Sequence, residues 1–561
     1  MGESLRRVMG DWSQSETGWL RFWGALVILL LTHQLLRLLH AAFWHPLARV
    51  PGPRLMAVSV LPMGRIRTSG RAPYAAAALH ARYGPVVRIG PNEVSCAGPA
   101  AFRDAYGHRA GAGGPLPRDQ RAVASRRAFG AVSLLQADVP THARMRRRMN
   151  PAFSEKAARA QEPIVAGYVD ALIQRLHEAA AVPSSKTDGA GTGGVVDMCQ
   201  YLTWATFDIQ GDLLFGQDVF GCLRHGRDHP WPTTTTGFFR ALTWIRFLTE
   251  ILPAWAFAAL QKLLQKRGSS SQGKRNIADI MRDHALETKR MVDRRVDTGA
   301  TDRPDYMSVI EREKGGKSGA ATGGEEEDAH ALSREEMYAN AQVLMAAGSE
   351  TVATVLSGAL YLLLTHPAAL ARVQEEVRSA FAAFDNSSSS GSGSGKIDFA
   401  SLARLEYLSA VLSETMRVWP PVATPFVRQV PRGDGGGGGC VVDGYYLPEG
   451  ALVGVSNYAT GRSERYFRHA ERFVPERWLG APEYAGDDRE AFQPFGYGPM
   501  SCLGSALGRL ELRLLLARLI WNFDIELMPE SYGWMDNMEH YMVWQKPPLM
   551  VKLRPVRPWA G

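Results

Sequence analysis

Residues 495–504, with the sequence FGYGPMSCLG, constrain this chain more strongly than any other stretch. They carry one cysteine, Cys502, between two glycines, and leucines at helical spacing follow from Leu507 onward. The cysteine is therefore predicted at a loop-to-helix junction, where free backbone N–H groups and the positive helix end favour a thiolate over a thiol. Gly498 and Gly504 permit backbone conformations that a side chain would forbid, and they would let a large flat ligand lie close to the chain.

This cysteine loop, residues 495–504, is specific enough to support a chemical hypothesis. A chain of this composition would contain about 0.002 chance matches to F-x-x-G-x-x-x-C-x-G. A thiolate on a tight loop is a suitable ligand for a soft metal centre such as heme iron. The alternative is a buried free cysteine at a glycine-rich turn.

Composition limits the remaining classes of protein. The 561 residues suffice for one large domain or two coupled ones, and five cysteines predict no disulfide framework. The net charge of +8 is compatible with nucleic acid, an acidic protein partner or an anionic membrane surface. Because zinc-ligand spacing and aromatic-rich basic motifs are missing from the sequence, we expect no nucleic-acid partner.

The chain divides into four parts by composition. Residues 1–18 form a polar tail, and residues 19–40 are apolar enough for one transmembrane anchor. Residues 41–54 contain three prolines and are predicted to form a hinge, and residues 55–561 form the large body. The alternatives to a retained anchor are a cleaved signal peptide and a re-entrant segment.

The charges on either side of the apolar segment predict its orientation. Glu3, Asp11 and Glu16 precede it, whereas Arg49 and Arg54 follow it. Since basic residues stay on the cytoplasmic side of a membrane, the body is expected in the cytosol.

A long buried helix is predicted in the middle of the body. Ser333 and Glu336 form a capping box at its start, and apolar residues continue nearly all round it until His366-Pro367. Strands are also predicted, at 86–89 and 94–96 as a hairpin and at 523–527, 541–544 and 549–553 near the C-terminus.

The centre of that helix has the sequence AGSET, residues 347–351. Gly348 is costly inside a helix, and the Thr351 hydroxyl can bond back to the carbonyl of Ala347 and open the helix locally. Glu350 and Thr351 beside such an opening could pass protons into a buried site. The alternative is a notch of small residues that serves helix packing.

Two further pairs carry charge at helical spacing. His142 and Arg146, at i and i+4, suit an anionic group such as a carboxylate, although a solvated basic surface has the same pattern. Glu414 and Arg417, at i and i+3, are by themselves a common surface salt bridge.

Five features follow one another along the chain: an apolar anchor with a proline hinge, A-G-x-E-T, E-x-x-R, P-E-R-W and the cysteine loop. In this order they resemble those of a membrane-bound cytochrome P450 monooxygenase, a heme-thiolate enzyme. The resemblance covers nearly the whole chain after the anchor. HPL at 45–47, PGP at 51–53 and WNFD at 521–524 are similar to filamentous-fungal members, which often act in secondary-metabolite pathways. The resemblance implies a mainly α fold with a smaller β-rich portion, preceded by one N-terminal transmembrane helix.

The resemblance also implies roles for individual residues. Cys502 would be the axial ligand of the iron of heme b, and Phe495 would pack near the thiolate. Thr351 would position dioxygen and its waters, and Glu350 would relay protons. The other implied residues are the oxygen-activation groove at Ala347 and Gly348, the heme-propionate contacts His142, Arg146 and Arg428, and the buried structural network of Glu414, Arg417 and Arg477.

Met500 departs from the family pattern, which usually has arginine or histidine two residues before the cysteine, bonded to a propionate. Methionine cannot donate such a bond. We therefore expect Arg428, His142 and Arg146 to carry the propionates in its place.

The implied reaction inserts one atom of dioxygen into a hydrophobic small molecule, for which we expect a terpenoid or polyketide intermediate. Electrons would come from NADPH through a separate cytochrome P450 reductase, because the chain has no flavin or nicotinamide fingerprint. Arg144, Arg147 and Arg148 would help to dock the acidic reductase. We expect a monomer in the endoplasmic reticulum membrane.

By chain position, the substrate pocket is expected to include the region before His142, Leu344 and Ala347, residues 422–426 and the late turn at 538–542. Two other functions remain open. A heme-thiolate dehydratase or isomerase would rearrange a peroxide without a reductase, and a heme-binding sensor would have no turnover. Both are disfavoured because the chain keeps the Glu350–Thr351 pair.

Overall fold

The computed structural model describes residues 16–109, 114–119, 129–181, 194–216, 219–268, 277–299, 301–315, 331–382, 397–432 and 438–557. The described chain is mostly helical, as predicted. Its α-helices are α1 (Glu16–Leu39), α2 (Arg54–Val58), α3 (Leu61–Thr68), α4 (Ala72–Tyr83), α5 (Pro99–Tyr106), α6 (Val139–Met149), α7 (Glu155–Ala160), α8 (Glu162–Ala181), α9 (Met198–Phe215), α10 (Cys222–His225), α11 (Pro230–Ile251), α12 (Ala254–Gly268), α13 (Ile277–Asp297), α14 (Tyr306–Gly315), α15 (Arg334–Thr365), α16 (Pro367–Ala380), α17 (Phe399–Leu402), α18 (Glu406–Val418), α19 (Asn457–Gly461) and α20 (Ser505–Asn522).

The β-rich portion consists of short strands in four small sheets. In chain order the strands are β1 (Val86–Gly90), β2 (Glu93–Cys96), β3 (Val195–Asp197), β4 (Arg428–Gln429), β5 (Gly439–Val442), β6 (Tyr445–Pro448), β7 (Leu452–Val455), β8 (Phe523–Leu527), β9 (His540–Tyr541), β10 (Val543–Trp544) and β11 (Met550–Pro555). The sheet orders are β1-β2-β7-β4, β3-β11-β8, β5-β6 and β9-β10.

The predicted hairpin of β1 and β2 is confirmed as an antiparallel pair. The prediction of one strand over 541–544 is wrong. Met542 has a φ of 64°, a left-handed conformation that reverses the chain, so β9 and β10 pair with each other.

The N-terminal helix α1 continues through a π-helical turn at His40–Trp44, beyond the expected end of the anchor at residue 40. The apolar segment Trp19–Trp44 is long enough to span a membrane, with a mean hydropathy of 1.7, and its most apolar stretch is not buried inside the protein. The helix α15 is also long and apolar enough to span a membrane, but it is a core helix that is largely buried inside the body. Most of the expected tail, residues 1–18, lies outside the described residues.

The expected hinge is attached to the body. Leu47 is fully buried, and the Arg88 guanidinium in β1 donates to the carbonyl of Ala41 at 2.9 Å. The amide of Arg88 donates to the carbonyl of Pro51. A side chain at position 52 would collide with the Arg88 carbonyl, so Gly52 permits this close approach.

The long helix α15 has the predicted capping box, in which Ser333 and Glu336 exchange hydrogen bonds with each other's backbone. It is helical over all 32 residues, so the local opening expected at its centre is not seen. It packs against α9 and α20, and this places it between the N-terminal half of the body and the helix that follows the cysteine loop.

Glu414, Arg417 and Arg477 come together in a buried ion-pair network. Glu414 accepts hydrogen bonds from Arg417 at 2.7 Å and from Arg477 at 3.0 Å. Asp487 is the second carboxylate that pairs with Arg477. The network joins α18 to the segment that leads into the cysteine loop.

Two additional groups tie the network to its surroundings. The indole of Trp478 donates to Glu414 at 2.9 Å. Arg417 also donates to the carbonyls of Ala470 and Arg472, at 2.6 and 2.8 Å. The pair is therefore a structural element and not a surface salt bridge.

We predict that Glu414→Gln lowers the free energy of unfolding by about 3–5 kcal/mol, because it leaves two buried guanidinium groups without their shared carboxylate. Urea-induced unfolding of the full chain would measure this change. Glu155→Gln, which breaks an exposed pair with Arg159 on α7, is the matched control and should cost no more than about 1 kcal/mol. Equal losses in the two variants would contradict the assignment.

Candidate functional site around the cysteine loop

The cysteine loop is a closed turn. The amide of Cys502 donates to the carbonyl of Phe495 at 2.7 Å, and the amide of Ser501 donates to that of Gly498 at 3.0 Å. Gly498 has a φ of 72°, and a side chain there would lie 2.2 Å from the carbonyl oxygen of Tyr106. Glycine at 498 is therefore required both by the left-handed backbone and by the packing of the loop against α5.

Gly504 differs from this expectation. Its φ of −86° suits any residue, so no special backbone conformation is needed. A Cβ at this position would meet no described atom within 4 Å. The bare backbone at Gly504 thus borders open space beside Cys502, as a large planar group close to the chain would require.

The Cys502 side chain is exposed, yet protein atoms surround it so closely that burial raises the pKa of its thiol. Its accessible surface therefore faces an enclosed space. The Gly504 amide and the charges of Arg146 and Arg509 act in the opposite direction on the pKa, but burial is the larger effect. The expectation that the loop alone favours a thiolate is wrong in its net direction, and a bound cationic metal would reverse it.

Basic side chains converge beside this loop. His142, Arg428 and Arg118 are buried, and Arg146 is half-buried. Burial, together with the charges of Arg428 and Arg146, lowers the pKa of Arg118 to about 9. Burial and the charges of the three arginines lower the pKa of His142 to about 4.

This cluster of Arg118, His142, Arg146 and Arg428, the basic cluster, calls for an anion. The described carboxylates are not among the charges that shift these two pKa values. The buried Nε atoms of Arg118 and Arg428 have no hydrogen-bond partner in the described part of the chain. A heme fits here because it presents two carboxylates next to an iron that takes a cysteine sulfur.

Arg118 was not predicted from the sequence. It lies in irregular chain, and an isolated β-bridge to Arg428 brings its backbone to the site. The hydrogen bonds of this bridge run from the amide of Gln429 to the carbonyl of Pro117 at 2.8 Å and from the amide of Asp119 to that of Val427 at 3.0 Å. No local motif marks a residue whose position depends on pairing with a strand so distant in sequence.

Arg146 and Met500 have contacts that the sequence did not indicate. Arg146 donates to the carbonyl of Ser501, and so holds the residue next to Cys502. The Met500 sulfur lies 2.7 Å from a guanidinium nitrogen of Arg428. A thioether is a weak acceptor, so Arg428 retains most of its capacity to bind an anion. Phe495 is half-buried under the guanidinium of Arg509, 4.6 Å from the ring centroid.

In α15, Ala347 and Thr351 share one helix face. The Thr351 hydroxyl donates to the Ala347 carbonyl at 2.7 Å, as predicted. Ala347 is exposed, although Met345 and Ser349 beside it are buried. A side chain at Gly348, however, would lie 2.3 Å from the Gln210 amide oxygen of α9, so this glycine serves the helix-packing notch.

Glu350 is buried, whereas Ala347, one helical turn earlier in α15, is exposed. It accepts a hydrogen bond at 2.8 Å from the ammonium group of Lys546, which follows β10. Lys546 also donates to Thr354 at 3.0 Å. Sequence reasoning missed Lys546, since a single lysine after a strand carries no signal.

The two late segments expected at the substrate pocket contact each other. The amide of Ala423 donates to the Nε2 atom of His540 at 3.2 Å, and both residues are buried. Burial lowers the pKa of His540 to about 3, so this imidazole is a neutral acceptor.

Comparisons with known proteins agree with this site. The family model described as cytochrome P450 matches residues 51–553. A cytochrome P450 monooxygenase from Penicillium crustosum is 38% identical, covering 95% of this chain and 97% of the relative. An averantin hydroxylase from Dothistroma septosporum is 35% identical, over 95% of this chain and 90% of the relative. A trichothecene C-15 hydroxylase from Fusarium sporotrichioides is 36% identical, over 91% and 94%.

The match of both the family model and these relatives extends across the cysteine loop, α15 and the ion-pair network. This chain therefore belongs to the cytochrome P450 family, and it is a heme-thiolate monooxygenase of the kind found in fungal secondary-metabolite pathways.

Proposed function

We propose that the protein uses NADPH and O2 to oxidise a hydrophobic intermediate, a terpenoid or polyketide, by hydroxylation or a related insertion of one oxygen atom. The observation that carries this proposal is Thr351. Its hydroxyl lies on the same face of α15 as the exposed Ala347, in a helix that is largely buried. A sensor or an isomerase has no need of a proton-handling group there.

We propose the following roles for the residues at the site. When bound, a heme with a cysteine thiolate activates dioxygen and favours cleavage of the O–O bond. Cys502 supplies the thiolate, and the basic cluster holds the propionates. Thr351 positions water and a proton at its hydroxyl oxygen, and Glu350 passes protons to it.

We propose that electrons arrive through a separate cytochrome P450 reductase and that the protein is a monomer anchored in the endoplasmic reticulum with its body in the cytosol. The apolar segment Trp19–Trp44 supports the membrane anchor. Arg144 pairs with Glu336 and donates to the Ala331 carbonyl, so it is engaged within the protein. Arg147 is exposed on the same helix and is the better candidate for contact with an acidic reductase.

The test of this function is turnover with NADPH, a purified reductase, ¹⁸O2 and metabolite extracts from a producing strain that lacks this protein. A monooxygenase consumes NADPH and gives a product with one ¹⁸O atom. Product formed from a peroxide without NADPH would identify an isomerase or dehydratase. Spectral binding without any product would identify a sensor.

We predict that Arg118→Ala speeds heme loss, because it removes a charged donor from the propionates. A hydrogen bond to a charged group contributes about 1.5–3 kcal/mol, which corresponds to roughly 10–100-fold faster transfer of heme to apomyoglobin. Arg159→Ala, an exposed arginine on α7, is the control and should leave the transfer rate unchanged. An Arg118→Ala protein that retains heme as well as the unmodified chain would show that the cluster does not bind the propionates.

We predict that Thr351→Ala diverts electrons to hydrogen peroxide. With O2 as the only acceptor, peroxide release consumes one NADPH per O2, whereas reduction to water consumes two. Loss of a positioned proton donor should slow the water-forming route on the order of 100-fold, so the ratio falls toward one. Thr365→Ala removes the same kind of back-bonded hydroxyl at the end of α15 and should leave the ratio unchanged. An unchanged ratio in Thr351→Ala would remove Thr351 from the relay.

A further inference from the structure

The surroundings of Glu350 contain a cation that the family resemblance did not supply. The Lys546 ammonium lies between Glu350 and Thr354, at 2.8 and 3.0 Å, and both side chains of the ion pair are 7% exposed. Glu350 and Thr354 are at i and i+4 on α15, so one face of the helix is built to receive this lysine.

Lys546 reaches this position from the protein surface. The next two residues, Pro547 and Pro548, are exposed, whereas the lysine side chain is buried against α15. A buried ammonium is costly unless it is paired, and the Glu350 carboxylate is the charged partner that the structure gives it. The pair thus joins an exposed loop of the C-terminal segment to the residue next to Thr351.

We propose that Lys546 is the positioning residue of the proton relay, because its charged ammonium group binds the Glu350 carboxylate and fixes its orientation. Without this charged donor, the side chain of Glu350 can rotate to other rotamers or turn toward solvent. In that orientation it no longer takes a proton from solvent and passes it to Thr351. This inference rests on the proposed function, in which Glu350 is the relay acid.

Lys546 itself takes no part in the proton transfer. A hydronium ion from solvent gives a proton to the Glu350 carboxylate and leaves water. The carboxyl group then gives that proton to the hydroxyl or water at Thr351, which passes a proton of its own on toward the site, and the carboxylate is regenerated. Lys546 supplies the positive charge that holds the carboxylate in place. Its effect on the reaction therefore acts through Glu350 alone.

A purely structural role is the alternative. Lys546 also lies near Cys199 at the start of α9, whose thiol donates to Ser357 in α15 at 3.5 Å. In a purely structural role, Lys546 would only attach the C-terminal segment to the core. The two roles predict different effects of a substitution. Loss of a purely structural contact changes stability and heme retention, whereas loss of a positioning residue changes the share of electrons that reduce O2 to water and not to peroxide.

The experiment measures NADPH consumed per O2 by the full-length holoenzyme with reductase and no added substrate, in Lys546→Met, Glu350→Gln and the double variant. We expect the water-forming share to fall about 10-fold in each single variant and no further in the double variant, because both changes disable one unit. Lys546→Arg should restore the share. Lys552→Met, on β11, is the matched control for loss of a lysine from the same segment.

The outcomes separate this inference from the function on which it rests. If Glu350→Gln leaves the water-forming share unchanged, Glu350 is not the relay acid and both proposals fail. If Glu350→Gln lowers the share and Lys546→Met does not, or if the two losses multiply, only the role of Lys546 is overturned. Should Lys546→Met fail to fold, Lys546→Gln keeps a neutral donor to Glu350 and must still lower the share, since it lacks the charge.

Discussion

The Glu414 carboxylate is the interaction on which the cysteine side of the protein depends. It binds two arginines that are themselves buried and that hold backbone carbonyls across the segment leading to the cysteine loop. Removing Glu414 would leave the buried Arg417 without the carboxylate that pairs with it, and Arg477 with Asp487 alone. The network thus fixes the approach of the chain to Cys502, and the loop then needs only a few local hydrogen bonds to present the sulfur.

The basic cluster is the opposite case, because the described carboxylates are not among the charges that shift the pKa of Arg118 or of His142. In the basic cluster, burial and mutual repulsion lower the pKa of Arg118 and of His142, and two buried Nε atoms lack partners in the described residues. Charge is balanced within the protein at Glu414 and left unbalanced at the basic cluster. This contrast distinguishes a structural ion-pair network from a binding site for an anionic group, and it is why the cluster supports heme propionates as the missing partner.

The centre of α15 divides its roles between helix faces. Ala347 and Thr351 share an accessible face, Gly348 receives Gln210 of α9, and Glu350 receives Lys546. The five consecutive residues 347–351 therefore have three roles: they leave a surface that a cofactor can approach, they pack against α9, and they form an ion pair. The intact helix shows that a back-bonded hydroxyl at Thr351 does not by itself break the ladder.

The sequence alone determined the cysteine loop, the capping box of α15, the mainly helical class, and the pairing of Glu414 with its arginines, because these follow from local spacing or from an ordered set of motifs. Tertiary structure alone decided the rest. Arg118 and Lys546 reach the site through contacts with residues that are far away in the sequence, and no local pattern encodes such proximity. The thiol of Cys502 has a raised pKa because burial outweighs the helix end and the nearby arginines, and burial is a property of the whole packed chain.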